Sequence, residues 1–263
     1  MLNKVAESIN CLSAFCGKRD LNHLTKQELK QKYGIEKIDV MVLFGGSVLS
    51  GGDLFAEAMK ANLAKHYIIV GGYGHTSSFL FEAAEKSIPG LTMGITSEAE
   101  LFQQYLKVKY HLTADYLETT STNCGNNITN LLALLKEQGI AMRNILMIQE
   151  AAMQLRMEAT LKKYVFDELL VLNYAATQVS VSVKHESFIF DQLLPNFWEM
   201  EQYIRLLMGE IPRLHDTAEG YGPKGKQFID HVKVPEEVLK AYAVLKQFYP
   251  DLTRAGNPAY ASK

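Results

Sequence analysis

Four short stretches combine glycine, hydroxyl, amide and charged residues at spacings suited to holding a small polar molecule. They are Gly45-Gly46-Ser47, Gly71 to Thr76, Ser121 to Asn127, and Gln149 to Arg156. Glycines at 45, 46, 72 and 74 let a rigid ligand approach the backbone, although tight turning asks for the same residue type. Ser121, Thr122 and Asn123 precede a helical pattern and exceed what one helix cap needs. Their spare oxygens and amides, with Asn127, are therefore candidates for ligand contacts. Gln149 closes an apolar run, and Gln154 and Arg156 follow it. The guanidinium fork of Arg156 suits a carboxylate or phosphate, against the plain alternative of a surface arginine. His75 and Glu98 are the candidates for acid–base work. Their plain roles are a structural histidine and a carboxylate that complements a helix dipole.

Several stronger motifs are missing. No Gly-Lys-Ser/Thr follows either glycine cluster, so neither is a Walker loop. Gly72-Tyr73-Gly74-His75-Thr76-Ser77 lacks the last glycine of a dinucleotide fingerprint, and the second strand ends in glycines where a ribose-holding acid is expected. The histidines form no H-x-x-x-H or H-E-x-x-H set, so no metal site is expected. Cys124 stands at a helix start, which acidifies a thiol, but no histidine lies near it in sequence to activate it.

The elements that must position these residues alternate. Residues 1–34 read as a helical lead-in, with a Thr25/Glu28 capping box and a stop at Gly34. Strand patterns occupy 39–44, 67–70, 115–118, 144–149 and 169–172, and 178–183 is strand or extended. Helical patterns occupy 53–65, 76–86, 97–110 (opened by a Ser97/Glu100 capping box), 121–138 and 151–163. This alternation predicts an α/β fold with a Rossmann-like open, mostly parallel sheet and helices on both faces. Each of the four polar stretches then falls at a strand-to-helix junction, where unpaired amides and a positive dipole end favour anions. Beyond residue 187 the alternation stops. One helix over 188–208, an irregular stretch over 209–233 and a helix over 235–248 predict a smaller helical C-terminal part. The expected domains are 1–187 and 188–263.

Composition narrows the function classes. The 263 residues are 48% hydrophobic and carry a net charge of −2, enough for a large core and no electrostatic case for a nucleic-acid partner. No run of about 18 apolar residues is present, so no membrane span is expected. Glu7 and Asn10 interrupt the apolar N-terminal stretch, which patterns as an amphipathic helix rather than a secretory signal. Cys11, Cys16 and Cys124 form no disulfide framework and point to a cytoplasmic home. The expected partner is a small-molecule ligand. Nothing in the sequence speaks to oligomeric state.

The chain resembles the YdcF-like proteins of the SanA/ElyC/YdcF domain family over nearly its whole length from about residue 39. The residues carrying the resemblance are Gly45-Gly46, Gly71-Gly72-Tyr73-Gly74-His75-Thr76, Glu98-Ala99, Ser121 to Asn127, and Gln149 through Met153-Gln154 to Arg156. Gly209 to Arg213 and Gly220 to Gly225 match the cytosolic subgroup. The resemblance implies a Rossmann-like fold with a smaller C-terminal part. It also implies S-adenosylmethionine as the cofactor, with no reaction assigned. Membrane-anchored relatives are tied to cell-envelope upkeep, an anchor not expected here. Asn126 stands where the family usually has Glu. The expected function is binding of S-adenosylmethionine or a related adenosyl or nucleotide compound, with a possible transferase step. Two alternatives stay open. One is a hydrolase or transferase acting on a phosphorylated substrate, and the other is a non-catalytic sensor with Gly220–Gly225 as a lid.

Overall fold

The computed structural model describes residues 1–252 apart from Ser47, His75 and Leu193. It divides into two compact units that interleave in sequence. Of the described residues, one comprises 19–150 and 165–176, and the other comprises 1–18, 151–164 and 177–252. The division therefore differs from a single cut at residue 187.

The first unit holds a five-stranded, all-parallel sheet of β1 (Ile38–Phe44), β2 (Ala64–Val70), β3 (Tyr116–Glu118), β4 (Asn144–Gln149) and β5 (Leu170–Ala175), in the order β3-β2-β1-β4-β5. The aliphatic runs of β1 and β4 are buried at every residue, as strands covered on both faces must be. Register places Val42 beside Ile68 on one side and Met147 on the other. Helices α2 (Lys26–Tyr33), α3 (Ser50–Lys60), α4 (Ser77–Ser87), α5 (Glu98–Tyr110) and α6 (Cys124–Glu137) complete this unit, and helices pack on both faces of the sheet. Packing of α3 on α5 is close because Gly52 carries no side chain; a Cβ there would stand 3.1 Å from ring atoms of Phe102 and Tyr105. The sequence winds outward from β1 through β2 to β3, then returns to the far side of β1 as β4. The carboxyl ends of β1 and β4 thus flank the switch point, where open α/β sheets bind ligands.

The expected caps form with one change. Ser97 and Glu100 satisfy each other's backbone amides at the start of α5. At α2, Thr25 Oγ1 accepts the Glu28 amide at 3.2 Å, but the Glu28 carboxylate turns to the amides of Asn22 at 2.6 Å and His23 at 2.7 Å. Those unpaired loop donors compete for it. Gly34 ends the helix at φ 70°.

The second unit contains α1 (Leu2–Cys16), α7 (Ala151–Lys162), β6 (Val181–Lys184), β7 (Ser187–Phe190), α8 (Met200–Leu214) and α9 (Glu236–Phe248). Here α1 packs on α7, α8, α9 and β6. The single helix expected over 188–208 is not formed. His185 and Glu186 take left-handed backbone at φ 48° and 61°, and this turn pairs β6 antiparallel with β7. The apolar Phe188-Ile189-Phe190 run thus joins the hairpin. Phe190 packs edge-on against Phe197 and Tyr203, with ring centroids 5.2 and 5.4 Å away. The helix begins only at Met200 and continues through Pro212 in its last turn, beyond the expected stop at 208. A proline there removes a single helix hydrogen bond. Among the described residues no helix is long and apolar enough to cross a membrane.

Candidate functional site

In the sheet unit the glycines at the strand ends make room for a carboxylate of the protein itself. Gly45 follows β1, and a Cβ there would fall onto Glu98 Oε2. Gly71 follows β2, and a Cβ there would meet the Gly45 Cα at 3.0 Å and Glu98 Oε2 at 3.1 Å. Main-chain bonds hold this arrangement. The Gly45 amide donates to Val70 O at 2.6 Å, and the Glu98 and Ala99 amides donate to Gly72 O and Gly71 O, both at 2.8 Å. The first amides of α5 are therefore spent on the β2 end and not offered to an anion.

Glu98 is 8% exposed. Its Oε1 accepts a 2.5 Å hydrogen bond from Ser77 Oγ, which itself accepts the Gly74 amide at 2.7 Å. Among the described residues no group donates to Oε2. Burial pushes the Glu98 carboxyl up to about 7; the Ser77 bond opposes that rise, and the negative charge of Glu150 adds to it. Glu150 follows β4 and is buried, and its Oε2 would stand 3.7 Å from a Cβ placed on Gly46. Two buried carboxylates thus flank Gly45-Gly46 at the switch point, with no described arginine or lysine bonded to Glu98. A negative charge on Glu98 repels phosphate and attracts a cation or a proton.

The other expected residues divide between scaffold and site. Gln149 clamps the strand ends: its Nε2 donates to Gly45 O at 3.0 Å and its Oε1 accepts the Glu150 amide at 2.6 Å. Gly46 faces that clamp, since a Cβ would lie 2.8 Å from Gln149 Oε1. Gly72 presses on Ser121, whose carbonyl and Oγ both accept its amide, at 3.0 and 3.2 Å. Gly74 abuts the Thr122 carbonyl. Asn123 caps α6 by accepting the Asn126 amide at 3.0 Å, and Thr122 and Asn123 both donate to Asn126 Oδ1. Asn126 is therefore the third residue of a capping arrangement, the position where a glutamate serves in a capping box. Asn127, one residue on, is 8% exposed, and among the described residues nothing hydrogen-bonds its side-chain amide. Ser47 and His75 lie outside the described residues.

Gln154 and Arg156 stand on α7, in the helical unit. Gln154 is fully buried. Arg156 meets Glu210 through a two-pronged pair, with Nη2 3.0 Å from Oε1, and Arg213 approaches the same carboxylate at 3.4 Å. Its fork of donors is thus engaged by a carboxylate of the chain. Burial and the Glu210 charge push the Cys16 thiol well above its usual range.

Two residues escaped sequence reasoning. Glu150 follows Gln149 with no motif to mark it; only the return of β4 to the flank of β1 sets it against Glu98. Glu118 ends β3 and is buried, with Oε1 accepting from the amides of Thr120 and Ser121, the Thr120 hydroxyl and Asn130. Burial raises its carboxyl, but these hydrogen bonds outweigh burial and leave it below the ordinary range. It anchors the segment that leads to Asn123. Among the described residues no cluster of His, Cys, Asp and Glu could hold a metal ion. No protein-family model matches the chain.

Proposed function

We propose that the sheet unit binds S-adenosylmethionine, or a related adenosyl compound, over the carboxyl ends of its strands. Its sulfonium and ammonium groups turn toward Glu98 and Glu150. The observation that carries this reading is the carboxyl of Glu98, buried beside a second carboxylate and met at Oε2 by no donor among the described residues. An ammonium or sulfonium group relieves that repulsion, whereas a phosphate adds to it. This favours a sulfonium compound over a phosphorylated substrate, as does the engagement of the first α5 amides by Gly71 and Gly72. The adenosyl part of the reading rests on the resemblance to YdcF-like proteins. Bound S-adenosylmethionine supplies an electrophilic carbon on sulfur. Glu98 orients the cation, and Ser77 holds its Oε1 in place.

Titration calorimetry tests this with S-adenosylmethionine, S-adenosylhomocysteine, ATP and inorganic phosphate. The expected result is preference for the sulfonium compound over its neutral thioether and over both phosphates, with Glu98→Gln weakening S-adenosylmethionine about tenfold, the scale of one charge-assisted hydrogen bond. Tight phosphate binding that Glu98→Gln leaves unchanged would overturn the reading.

A further inference from the structure

The hydroxyl of Ser77 sets the direction of the hydrogen bonds around Glu98. Ser77 is fully buried, and its Oγ accepts the Gly74 amide at 2.7 Å. Its own hydrogen goes to Glu98 Oε1, 2.5 Å away, and among the described residues no other acceptor receives it. Oε1 is thus kept as an acceptor. A proton held by this carboxyl then stands on the other oxygen, Oε2. That oxygen lies where Gly45 and Gly71 leave room. A Cβ on Gly45 would fall onto it, and one on Gly71 would come within 3.1 Å. The two oxygens have separate tasks: Oε1 is tied to the fold, and Oε2 is the one open to exchange.

The described elements around Glu98 offer it no positive charge. β1 and β2 end in glycines at this point, and α4 contributes the neutral hydroxyl of Ser77. From the end of β4 comes the negative charge of Glu150, which disfavours a second one. Glu100, on the same helix, turns back to the Ser97 cap. A carboxyl placed in this way and 8% exposed is stable with a proton on Oε2 or with a cation beside it.

We propose that the site takes up its cationic ligand in exchange for a proton, which leaves Oε2 of Glu98 for solvent, and that Ser77 is the positioning residue confining that proton to Oε2. This rests on the sulfonium-ligand reading above and deepens it by linking affinity to pH. Burial and Glu150 hold the carboxyl up at about 7, so the empty site keeps much of its proton at neutral pH. The ionised carboxyl binds the cation more tightly than the protonated one. Affinity therefore rises as pH climbs through that range and levels off above it.

The test is titration calorimetry with S-adenosylmethionine on wild type, Glu98→Gln and Ser77→Ala, across a range of pH and in buffers of different ionisation enthalpy. Glu98→Gln keeps the shape of the side chain and has no proton to give, so comparison with it cancels protons contributed by the ligand's own amine. Wild type should bind about tenfold more tightly than Glu98→Gln at pH ~8 and about equally at pH ~5, the span of a carboxyl whose titration moves about one pH unit lower in the complex. Near the midpoint wild type should release about half a proton more per ligand than the variant. Ser77→Ala removes the bond that favours the charged form, so its profile should move to higher pH. A merely structural serine would instead weaken binding equally at every pH. Circular dichroism and melting curves check that each variant is folded. If wild type binds S-adenosylmethionine but releases no more protons than Glu98→Gln, the exchange is wrong while the ligand assignment survives. If wild type binds no sulfonium compound, both fall.

Discussion

Each unit of this molecule buries more than one glutamate, and Glu210 of the helical unit and Glu98 of the sheet unit are treated in opposite ways. In the helical unit Glu210 is fully buried between Arg156 and Arg213, so its charge is met inside the fold. In the sheet unit Glu98 has one serine hydroxyl and a neighbouring carboxylate, and burial with that neighbour drives it up to about 7. A buried charge met by guanidinium groups holds a structure together. A buried acid left near neutrality is held at a cost that the packing alone does not explain. The contrast assigns Arg156 to the architecture of the helical unit and leaves Glu98 as the carboxyl on which the proposed site rests.

Three experiments bear on that contrast. The largest effect is expected from Arg156→Leu, which strips a buried carboxylate of its two-pronged partner. Denaturant unfolding should register a loss of about 3–5 kcal/mol. A loss below about 1 kcal/mol would mean that the pair is no more than a surface contact, and the contrast would fail on that side.

The second experiment follows stability against pH. Glu98 titrates at 4.5 when exposed and at about 7 in the fold. Between those values the folded chain keeps a proton that the unfolded chain has lost. Stability from this group is therefore full below pH 4.5 and declines as pH rises through 7, by on the order of 3 kcal/mol. Glu98→Gln should flatten that part of the profile, whereas wild type minus variant should slope downward. A difference curve without slope would show that Glu98 is ordinarily ionised.

The smallest effect concerns the glycine that houses this carboxyl. Gly45→Ala places a methyl where Glu98 Oε2 lies, and overpacking of this kind costs roughly 1–3 kcal/mol. In a Glu98→Ala background the obstacle is gone, so the cost should shrink. A double-mutant cycle with coupling under about 0.5 kcal/mol would mean that Gly45 is needed for turning and not for the carboxyl.

Much of this was legible from residue order. The aliphatic runs at 39–44 and 144–149, the caps at Ser97 and Asn123, and the alternation to β5 carry their structure locally, and the observed parallel sheet follows it. The hairpin of β6 and β7 was hidden. Val181-Ser182-Val183 alternates, but Phe188-Ile189-Phe190 is apolar in a way that fits helix and strand alike, and left-handed backbone at His185 and Glu186 is not advertised by those residue types. Within the candidate site, the glycines, Glu98 and Asn127 could be picked out by type, while the reason for Gly45 and Gly71 could not.

The sequence by itself determined the sheet class, the strand–helix alternation of the sheet unit and the Ser97 cap, because propensity, periodicity and capping act over a few residues. Only the tertiary structure decided that Glu98 lies over Gly45, that Glu150 lies near it and that Arg156 is committed to Glu210. Those outcomes depend on contacts between segments 50 or more residues apart, and burial and charge act through space whatever the separation along the chain.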